Sequence, residues 1–296
     1  MSKSSNEIKN EDYEEKVIIY LDILGIGSFT KEASDKDLIE IYQMLESLTT
    51  QLPIDQFINS SDDFEVDMDQ KRVKYHFSTL SDSIIISFSA KYLLLMTAFL
   101  SITKILQILL LDKGLLARGV VVLGKIYHQG NSSVIFGEGL VKAHAMDKSG
   151  YLPRITIDDE LWNLYKRDFK ENKIAFITKL QVKGNLELLS ELISQDTEGY
   201  IIVNDDNSIT YNPFHKARII IENNLKSTVS SFTKTIDNSI YCQKDKLQKC
   251  NNDLKKRNLS EEEQKKKLQE KRGLENTVRY WEYTKEQFDK YVVNQV

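Results

Sequence analysis

The sequence has little proline, little glycine and almost no cysteine. Its 296 residues include 3 prolines, 12 glycines and 2 cysteines, and its 40 Lys and Arg against 44 Asp and Glu leave a formal net charge of −4. Proteins that bind the phosphate backbone of nucleic acids usually have an excess of basic residues, which this chain lacks, so we expect no nucleic-acid partner. What the chain does have is 41% hydrophobic residues, enough to bury the core of one large or two modest globular domains.

The two cysteines and the N-terminal residues bear on the cellular compartment of the protein. Cys242 and Cys250 lie in a segment that reads as helical, about 12 Å apart along its axis, which is too far for a disulfide. Unpaired cysteines favour a reducing compartment, so we expect a cytoplasmic protein. Residues 1–16 have no apolar core and read as a disordered leader, not as a signal peptide or an anchor.

The longest hydrophobic run, Tyr92 to Leu111, has about the length of a membrane span. Lys104 lies near its middle, and Thr97, Ser101 and Gln107 interrupt its apolar surface. Because a charge is costly in lipid, we favour a buried helix and expect no membrane span.

Hydrophobic periodicity predicts the order β-α-β-β-α-β in the first half of the chain. A Ser34-x-x-Asp37 cap opens the first helix, and Ser81 and Asp82 mark a tight hairpin. The predicted elements are a strand at 17–21, a helix at 34–52, strands at 71–80 and 83–89, a helix at 92–111 and a strand at 115–129. This order is that of a ferredoxin-like palm, an α+β fold, in a domain that we expect over residues 17–213.

Further elements extend this domain, and a helical region follows it. Strands are predicted at 132–136, 154–157, 199–204 and 208–212, with helices at 137–148 and behind Asp158 or Asp159 as cap. From about His215 the apolar residues follow coiled-coil-like spacing, with a break near Ser239. A second helix opens at Ser260 with Glu263 as its capping-box partner. We expect a helical hairpin over 214–296 that serves packing or dimerisation.

Two aspartates are predicted to meet at one edge of the palm. Asp22 ends the first strand and Asp82 occupies the hairpin turn. Adjacent carboxylates repel each other, so such a pair usually shares protons or binds cations. Mg²⁺ or Mn²⁺ held by both aspartates and the backbone carbonyl of Ile23 would leave positions for phosphate and water. Singly, each aspartate is more simply a turn residue; together they favour a metal site.

The glycines after Asp22 suit the same chemistry. Gly25 and Gly27 allow the backbone N–H groups around Ile26 to form an anion-binding nest for the β- and γ-phosphates of a nucleotide. Two cations beside such a nest can activate an attacking hydroxyl and neutralise a leaving pyrophosphate.

These stretches resemble the class III nucleotidyl cyclases. YLDILGIGSFT is similar to their metal-binding strand, STLSDSIIIS to their second metal-binding hairpin, and LLARGVVVLGKIYHQGNSSVIFGEGLVKAHAMD to the segment that follows. The resemblance spans about residues 17–157, and LDILG, SDSIIIS and RGVVVLGKIYH are most similar to the bacterial pyrimidine cyclases of Pycsar anti-phage defence. It implies a uridylate cyclase that converts UTP, or less readily CTP, to the 3′,5′-cyclic monophosphate in a homodimer with shared active sites.

The resemblance also implies roles for single residues. Asp22 and Asp82 would hold two Mg²⁺ or Mn²⁺ ions per site, with the Ile23 carbonyl as a backbone ligand. Ser78 stands where purine cyclases place the lysine that reads the base, and Val134 or Ser133 where they place a second base reader. Both purine readers are therefore missing, which argues against ATP and GTP.

The transition-state residues of the family are replaced as well. Val141 and Ala145 stand at the positions of its ribose-orienting Asn and phosphate-binding Arg. Candidate replacements and additions are Arg118, which we take as catalytic, Lys142, His144, Arg154 and, in QVKGN, the triphosphate-contacting candidate Lys183. The structural alternatives are that Arg118 pairs with a neighbouring carboxylate, that Lys142 is a solvated helix residue and that His144 is a structural histidine.

Two other functions fit these residues less well. A non-catalytic palm could bind nucleotide or a protein partner, and the missing Asn and Arg would be its sign. Retention of both aspartates and the glycine loop favours activity instead. The palm of a template-directed polymerase would need fingers, a thumb and a basic groove, none of which the sequence indicates.

Overall fold

The computed structural model describes residues 13–50, 75–93, 95–128, 134–149, 152–168, 201–204, 208–215, 217–224, 228–255 and 259–294. Seven described strands form one sheet in the order β2-β3-β1-β4-β5-β7-β6. The strands are β1 Tyr13–Leu24, β2 Tyr75–Leu80, β3 Ser83–Ser89, β4 Leu116–Tyr127, β5 Ile155–Ile157, β6 Ile201–Val203 and β7 Ile209–Tyr211. The order β2-β3-β1-β4 is that of the predicted palm, and the α+β prediction is confirmed.

The helices alternate with these strands and then fill the C-terminal part. They are α1 Ile26–Glu32, α2 Asp35–Thr50, α3 Leu95–Asp112, α4 Glu138–Ser149, α5 at 159–168, α6 Ala217–Asn224, α7 Val229–Leu254 and α8 Glu261–Phe288. The predicted caps are confirmed for α2, where the Asp37 N–H donates to Ser34 Oγ, and for α8, where Ser260 and Glu263 form a capping box. Asp158, not Asp159, caps α5, because its carboxylate accepts the N–H of Leu161.

Strand β1 lies in the middle of the palm and is the most deeply buried of its strands. Val17, Ile18, Ile19 and Leu21 are fully buried, because side chains on both faces of a covered strand must be apolar. The strand begins at Tyr13, four residues before the predicted start. Lys16 joins the ladder because it pairs in register with Ser89 and its ammonium reaches the backbone carbonyl of His128.

Helix α3 contains the longest apolar run and is buried. Lys104 is completely inaccessible to solvent, and its ammonium donates to the backbone carbonyl of His215. A buried ammonium needs such an acceptor, since leaving it unpaired would cost several kcal/mol, on the order of its desolvation penalty. Among the described residues, no helix is long and apolar enough to cross a membrane.

The chain divides into two compact units, each of which uses more than one segment. One comprises the described residues of 1–103, 118–149 and 154–212, and the other those of 104–117, 150–153 and 213–296. The second unit therefore includes residues from the middle of the chain, and the domain boundary at 213 stays a prediction. Within it, α7 and α8 pair as the expected helical hairpin, and ion pairs Lys244–Glu282 and Lys285–Asp237 join them.

Three local predictions are wrong. The break near Ser239 is absent, and α7 runs unbroken because Phe232 and Ile236 are buried on one side of it. The strand predicted at 132–136 is reduced, in its described residues, to a single bridge between Phe136 and Tyr127. Strand β1 continues past Asp22 to Leu24, and the loop expected at Gly25 and Gly27 is a single turn residue, Gly25, followed by α1 from Ile26.

Candidate active site

The two predicted aspartates meet where β1 ends beside the β2–β3 hairpin. Asp22 is opposite Ser83 in the antiparallel register, and the Ile23 N–H donates to the Asp82 carbonyl at 2.8 Å. Ser81 adopts a positive φ of 57°, which closes the tight turn that carries Asp82. The predicted juxtaposition of Asp22 and Asp82 therefore follows from the register of three strands.

Arg118, at the start of β4, joins Asp22 to a third carboxylate. One guanidinium nitrogen lies 3.1 Å from Asp22 Oδ2 and 3.2 Å from Asp147 Oδ2. All three side chains are largely shielded, with exposed fractions of 21% for Arg118, 18% for Asp22 and 8% for Asp147. The predicted alternative for Arg118, an ion pair with a neighbouring carboxylate, is what the structure has.

Asp147 is the residue that the sequence prediction missed. It lies on α4, and Leu140 and Ala143 of the same helix pack toward the core of the sheet. The spacing 140, 143 and 147 places all three on one helix face. An acidic residue on an apolar helix face was the available signal, since such a residue needs a buried partner.

Burial dominates the electrostatics of this cluster. Desolvation raises the pKa of the Asp22 carboxyl, the Arg118 charge opposes that rise, and the Asp82 charge adds to it. The pKa of Asp147 is raised in the same way, first by desolvation and then by the charge of Asp22, against Arg118. Arg118 therefore forms ion pairs with two carboxylates, Asp22 and Asp147, and the charge of Asp82 acts on the first of them.

Three further side chains, Tyr20, Ser83 and His144, contact one another beside the acidic groups. The Tyr20 hydroxyl is 2.8 Å from Ser83 Oγ, and the Tyr20 ring lies 4.7 Å from that of His144. Burial raises the pKa of Tyr20, and its hydrogen bond with Ser83 opposes that rise. His144, a candidate replacement with a structural histidine as the alternative, therefore contacts Tyr20, and it acts to lower the pKa of Asp22 and of Asp147 against the larger effect of burial.

The phosphate-binding loop predicted at 25–27 has a helical conformation. Gly25 has a φ of 86°, a left-handed value that suits glycine, and α1 begins at Ile26. The Phe29 N–H donates to the Gly25 carbonyl at 2.9 Å, so the turn closes directly after β1. Phosphate binding by Gly25, Ile26 and Gly27 stays a prediction.

Ser78, at the position of the missing purine-reading lysine, is hydrogen-bonded to a buried histidine. Its hydroxyl lies 2.8 Å from His128 Nε2, and Ser87 Oγ lies 2.9 Å from His128 Nδ1. His128 is fully buried. Burial lowers its pKa to about 4, with the charges of His76 and Lys16 acting in the same direction, so the imidazole is neutral at pH 7.

The remaining candidates are placed elsewhere or lie outside the described residues. Lys142 pairs with Asp158 at 2.9 Å, a contact between α4 and the cap of α5. The backbone carbonyl of Arg154 accepts the N–H of Gly119. Val141 is 70% exposed on α4 and Ala145 is also exposed. Lys183 lies outside the described residues.

The carboxylate oxygens of the cluster suit a hard divalent cation, but the protein side chains alone do not supply a full set of ligands. In the part of the chain that the structure describes, no three His, Cys, Asp or Glu side chains are grouped closely enough to hold a metal ion. Asp22 and Asp82 supply carboxylate oxygens of the kind that Mg²⁺ and Mn²⁺ prefer. A cation there would need backbone, phosphate or water oxygens as its other ligands, as the predicted Ile23 carbonyl would provide.

Replacing Arg118 by methionine should destabilise the chain at neutral pH. Asp22 and Asp147 would lose their shared cation, and we expect a loss of about 2 kcal/mol, less than for a fully buried pair because the groups are partly solvated. Since the folded-state pKa of both acids is raised, the loss should shrink as the pH falls through those raised values. Chemical denaturation between pH 4 and 8 measures it.

Lys142→Met is the matched control, because Lys142 lies on the same helix as Asp147 and its ion pair with Asp158 is more exposed. Removal of this cation should cost less than about 1 kcal/mol. Added Mn²⁺ should restore part of the stability of Arg118→Met and none of that of Lys142→Met. Equal, pH-independent losses in the two variants would contradict the electrostatic account.

Comparison with known proteins gives a likeness of fold. No protein-family model matches the sequence, and no curated protein matches it. The guanylyl cyclase Cya2 is 10% identical, with a TM-score of 0.33 over 51% of this chain and 77% of that one. Two structures of a bacterial light-regulated adenylyl cyclase are 13% and 12% identical, with TM-scores of 0.33 and 0.32, and cover 50% and 51% of this chain and 44% and 78% of those.

TM-scores this low do not support an inference about function, so any such inference must rest on the residues of the site. The fold and the site together define an α+β palm with an acidic cluster, bridged by one arginine, at the edge where β1 meets the β2–β3 hairpin.

Proposed function

We propose that this chain is a nucleotidyl cyclase that converts UTP, and less readily CTP, to the 3′,5′-cyclic monophosphate and pyrophosphate. The observation that supports this function best is the meeting of Asp22 and Asp82 beside Arg118. Residues that are distant in sequence converge there on one sheet edge, burial raises the pKa of Asp22 and of Asp147, and Arg118 forms ion pairs with both of these carboxylates. The sequence resemblance adds the reaction class and the role of its product as a signal in anti-phage defence.

Asp22 and Asp82 would hold Mg²⁺ or Mn²⁺, two ions per site. Bound there, the ions would supply a deprotonated 3′-oxygen at neutral pH and charge neutralisation for the phosphates. The residues themselves set the geometry. Because β1 and the hairpin are joined by backbone hydrogen bonds, the two carboxylates are held in place before substrate arrives, which lowers the cost of organising the site.

In the proposed reaction the ribose 3′-oxygen forms a bond to the α-phosphorus. The bond from that phosphorus to the oxygen bridging to the β-phosphate breaks, pyrophosphate leaves with the electron pair, and the 3′-hydroxyl proton passes to solvent. Arg118 pairs with Asp22 and Asp147 through one guanidinium nitrogen. Its positive charge would stabilise the negative charge that develops on the phosphate oxygens. No protein nucleophile takes part.

We place two copies of the chain around each site. The single palm supplies two aspartates and an arginine, whereas the positions predicted for ribose and phosphate contacts on α4 carry the exposed Val141 and Ala145. In a two-fold homodimer with equivalent sites the second copy carries the same Val141 and Ala145, so it would complete the site with other side chains. The same two residues also favour the second candidate, a palm that binds nucleotide without turning it over.

The test is product identification. Purified protein is incubated separately with ATP, GTP, CTP and UTP and with Mg²⁺ or Mn²⁺, and the products are identified by mass spectrometry. We expect cyclic UMP as the main product, and light scattering under the same conditions should give twice the 34.3 kDa chain mass. Nucleotide binding without any product would support the non-catalytic palm, and cyclic AMP or cyclic GMP as main product would overturn the pyrimidine assignment.

A further inference from the structure

Two carboxylates share one nitrogen of Arg118. The same Nη2 atom lies 3.1 Å from Asp22 Oδ2 on β1 and 3.2 Å from Asp147 Oδ2 on α4. A guanidinium NH₂ group carries two N–H bonds in one plane, so it can donate one of them to each carboxylate. A single side chain of β4 therefore joins two acidic residues that are far apart in the sequence.

Arg118 and a divalent cation at Asp22 compete for the same carboxylate. At equal distance a divalent cation repels the guanidinium about twice as strongly as one carboxylate attracts it. Binding of Mg²⁺ or Mn²⁺ at Asp22, for which this inference rests on the proposed function, therefore weakens the pair between Asp22 and Arg118. The guanidinium then needs another anion, because a largely shielded charge without a partner is costly.

Asp147 is placed to be that anion. Its side chain is 8% exposed, and it follows Leu140 and Ala143 on the face of α4 that packs against the core of the sheet. The helix therefore holds it in position, and its ion pair with Arg118 already exists. A direct role as a metal ligand is not indicated, because no three acidic, His or Cys side chains of the described residues are grouped closely enough to hold an ion.

We infer that Asp147 is a positioning residue of the cation site, which retains Arg118 when a cation binds at Asp22. The two residues then have opposite effects on the affinity for the cation. Arg118 lowers this affinity, because it has to leave Asp22. Asp147 raises it, because it receives the displaced guanidinium and so reduces the free energy that the exchange costs.

A double-mutant cycle on Mn²⁺ affinity tests this inference. Free Mn²⁺ is measured by electron paramagnetic resonance with the full-length protein and without nucleotide. Relative to the wild type, we expect about fivefold tighter binding in Arg118→Met and about tenfold weaker binding in Asp147→Asn, the size of one hydrogen bond between charged groups. In the Arg118→Met background, Asp147→Asn should change the affinity by no more than about twofold, because no guanidinium remains to be retained.

Asp158→Asn is the matched control for Asp147→Asn. Asp158 also pairs with a cation of α4, Lys142, and asparagine can replace it as the cap of α5, so the affinity for Mn²⁺ should equal that of the wild type. Asp22→Asn should abolish the binding. An equal factor for Asp147→Asn in both backgrounds would show a plain charge or a direct ligand and would overturn the inference. Unchanged affinity in Asp147→Asn, or full affinity in Asp22→Asn, would do the same.

A second measurement needs no variant of Asp147 that folds. The side-chain signals of Arg118 in ¹⁵N-arginine spectra are assigned through Arg118→Met and compared with and without Mg²⁺. A guanidinium held in an ion pair rotates slowly about its C–N bonds, so its N–H signals stay separate. We expect the signals to shift with Mg²⁺ and to stay separate. Signals that do not shift, or that merge because the guanidinium is released, would overturn the inference.

These measurements separate the inference from the proposed reaction. If a cyclic nucleotide forms but the Mn²⁺ affinity does not depend on Asp147, the inference fails and the proposed function stands. If the affinities follow the expected cycle but no nucleotide is turned over, the inference stands and the proposed reaction fails.

Discussion

Asp22→Asn and Asp82→Asn should each reduce nucleotide cyclisation by at least about 1,000-fold, because a site that depends on carboxylate-bound cations loses both ground-state metal binding and transition-state charge stabilisation. Folding should be little affected at Asp22, since burial already raises the pKa of this carboxyl and a neutral amide avoids the desolvation cost. Steady-state rates with UTP and Mn²⁺, together with thermal unfolding curves, measure both effects.

Asp159→Asn is the control for these variants. Asp159 is exposed near the start of α5, so removal of its charge should leave the rate unchanged. Two outcomes would reject the metal site: full activity in either site variant, or equal losses in all three proteins. Should one site variant fail to fold, the other still decides the question, because Asp22 lies within β1 and Asp82 lies in a turn.

The largest effect on stability is expected from Gly119→Ala. Gly119 directly follows Arg118 on β4, and a Cβ there would lie 2.3 Å from the Tyr20 carbonyl oxygen and 3.2 Å from Leu21 Cα. Neither backbone atom can move without shifting β1. We expect a loss of about 3 kcal/mol or more in the free energy of unfolding, the upper range for overpacking, measured by chemical denaturation.

Gly273→Ala provides the opposite case. A Cβ at Gly273 would meet nothing within 4 Å, and this residue is exposed within α8. Alanine should therefore stabilise the helix by about 1 kcal/mol through its higher helix propensity. A loss at Gly119 no larger than about 0.5 kcal/mol would mean that β1 and β4 can separate locally, contrary to the close approach of their backbones.

The sequence predicted the palm because its strands are long, apolar and separated by strong turn signals. The meeting of Asp22 and Asp82 followed from topology alone. Helix α1 was missed because Gly25 and Gly27 have low helix propensity, but only Gly27 lies within the helix, and Gly25 precedes it in a left-handed conformation. The false break near Ser239 has the same origin, since buried Phe232 and Ile236 outweigh the local preference of a polar stretch.

The partners of each site residue were harder to predict than the residues themselves. Arg118 was named from the sequence, but its bridge to Asp147 depends on the packing of α4 against the sheet. His128 gave no sequence signal, because a lone histidine after an apolar strand is compatible with many surroundings. Only the register of β2 and β3, together with the end of β4, brings it between Ser78 and Ser87.

The buried Lys104 also has a consequence for synthesis on the ribosome. Its acceptor, the carbonyl of His215, comes 111 residues later in the chain. At 5–20 residues per second, the ammonium emerges roughly 5 to 20 s before that acceptor is translated. During this interval the most apolar helix of the chain cannot reach its final environment, so nascent chains should be most prone to aggregation, and most in need of a chaperone, between synthesis of α3 and of His215.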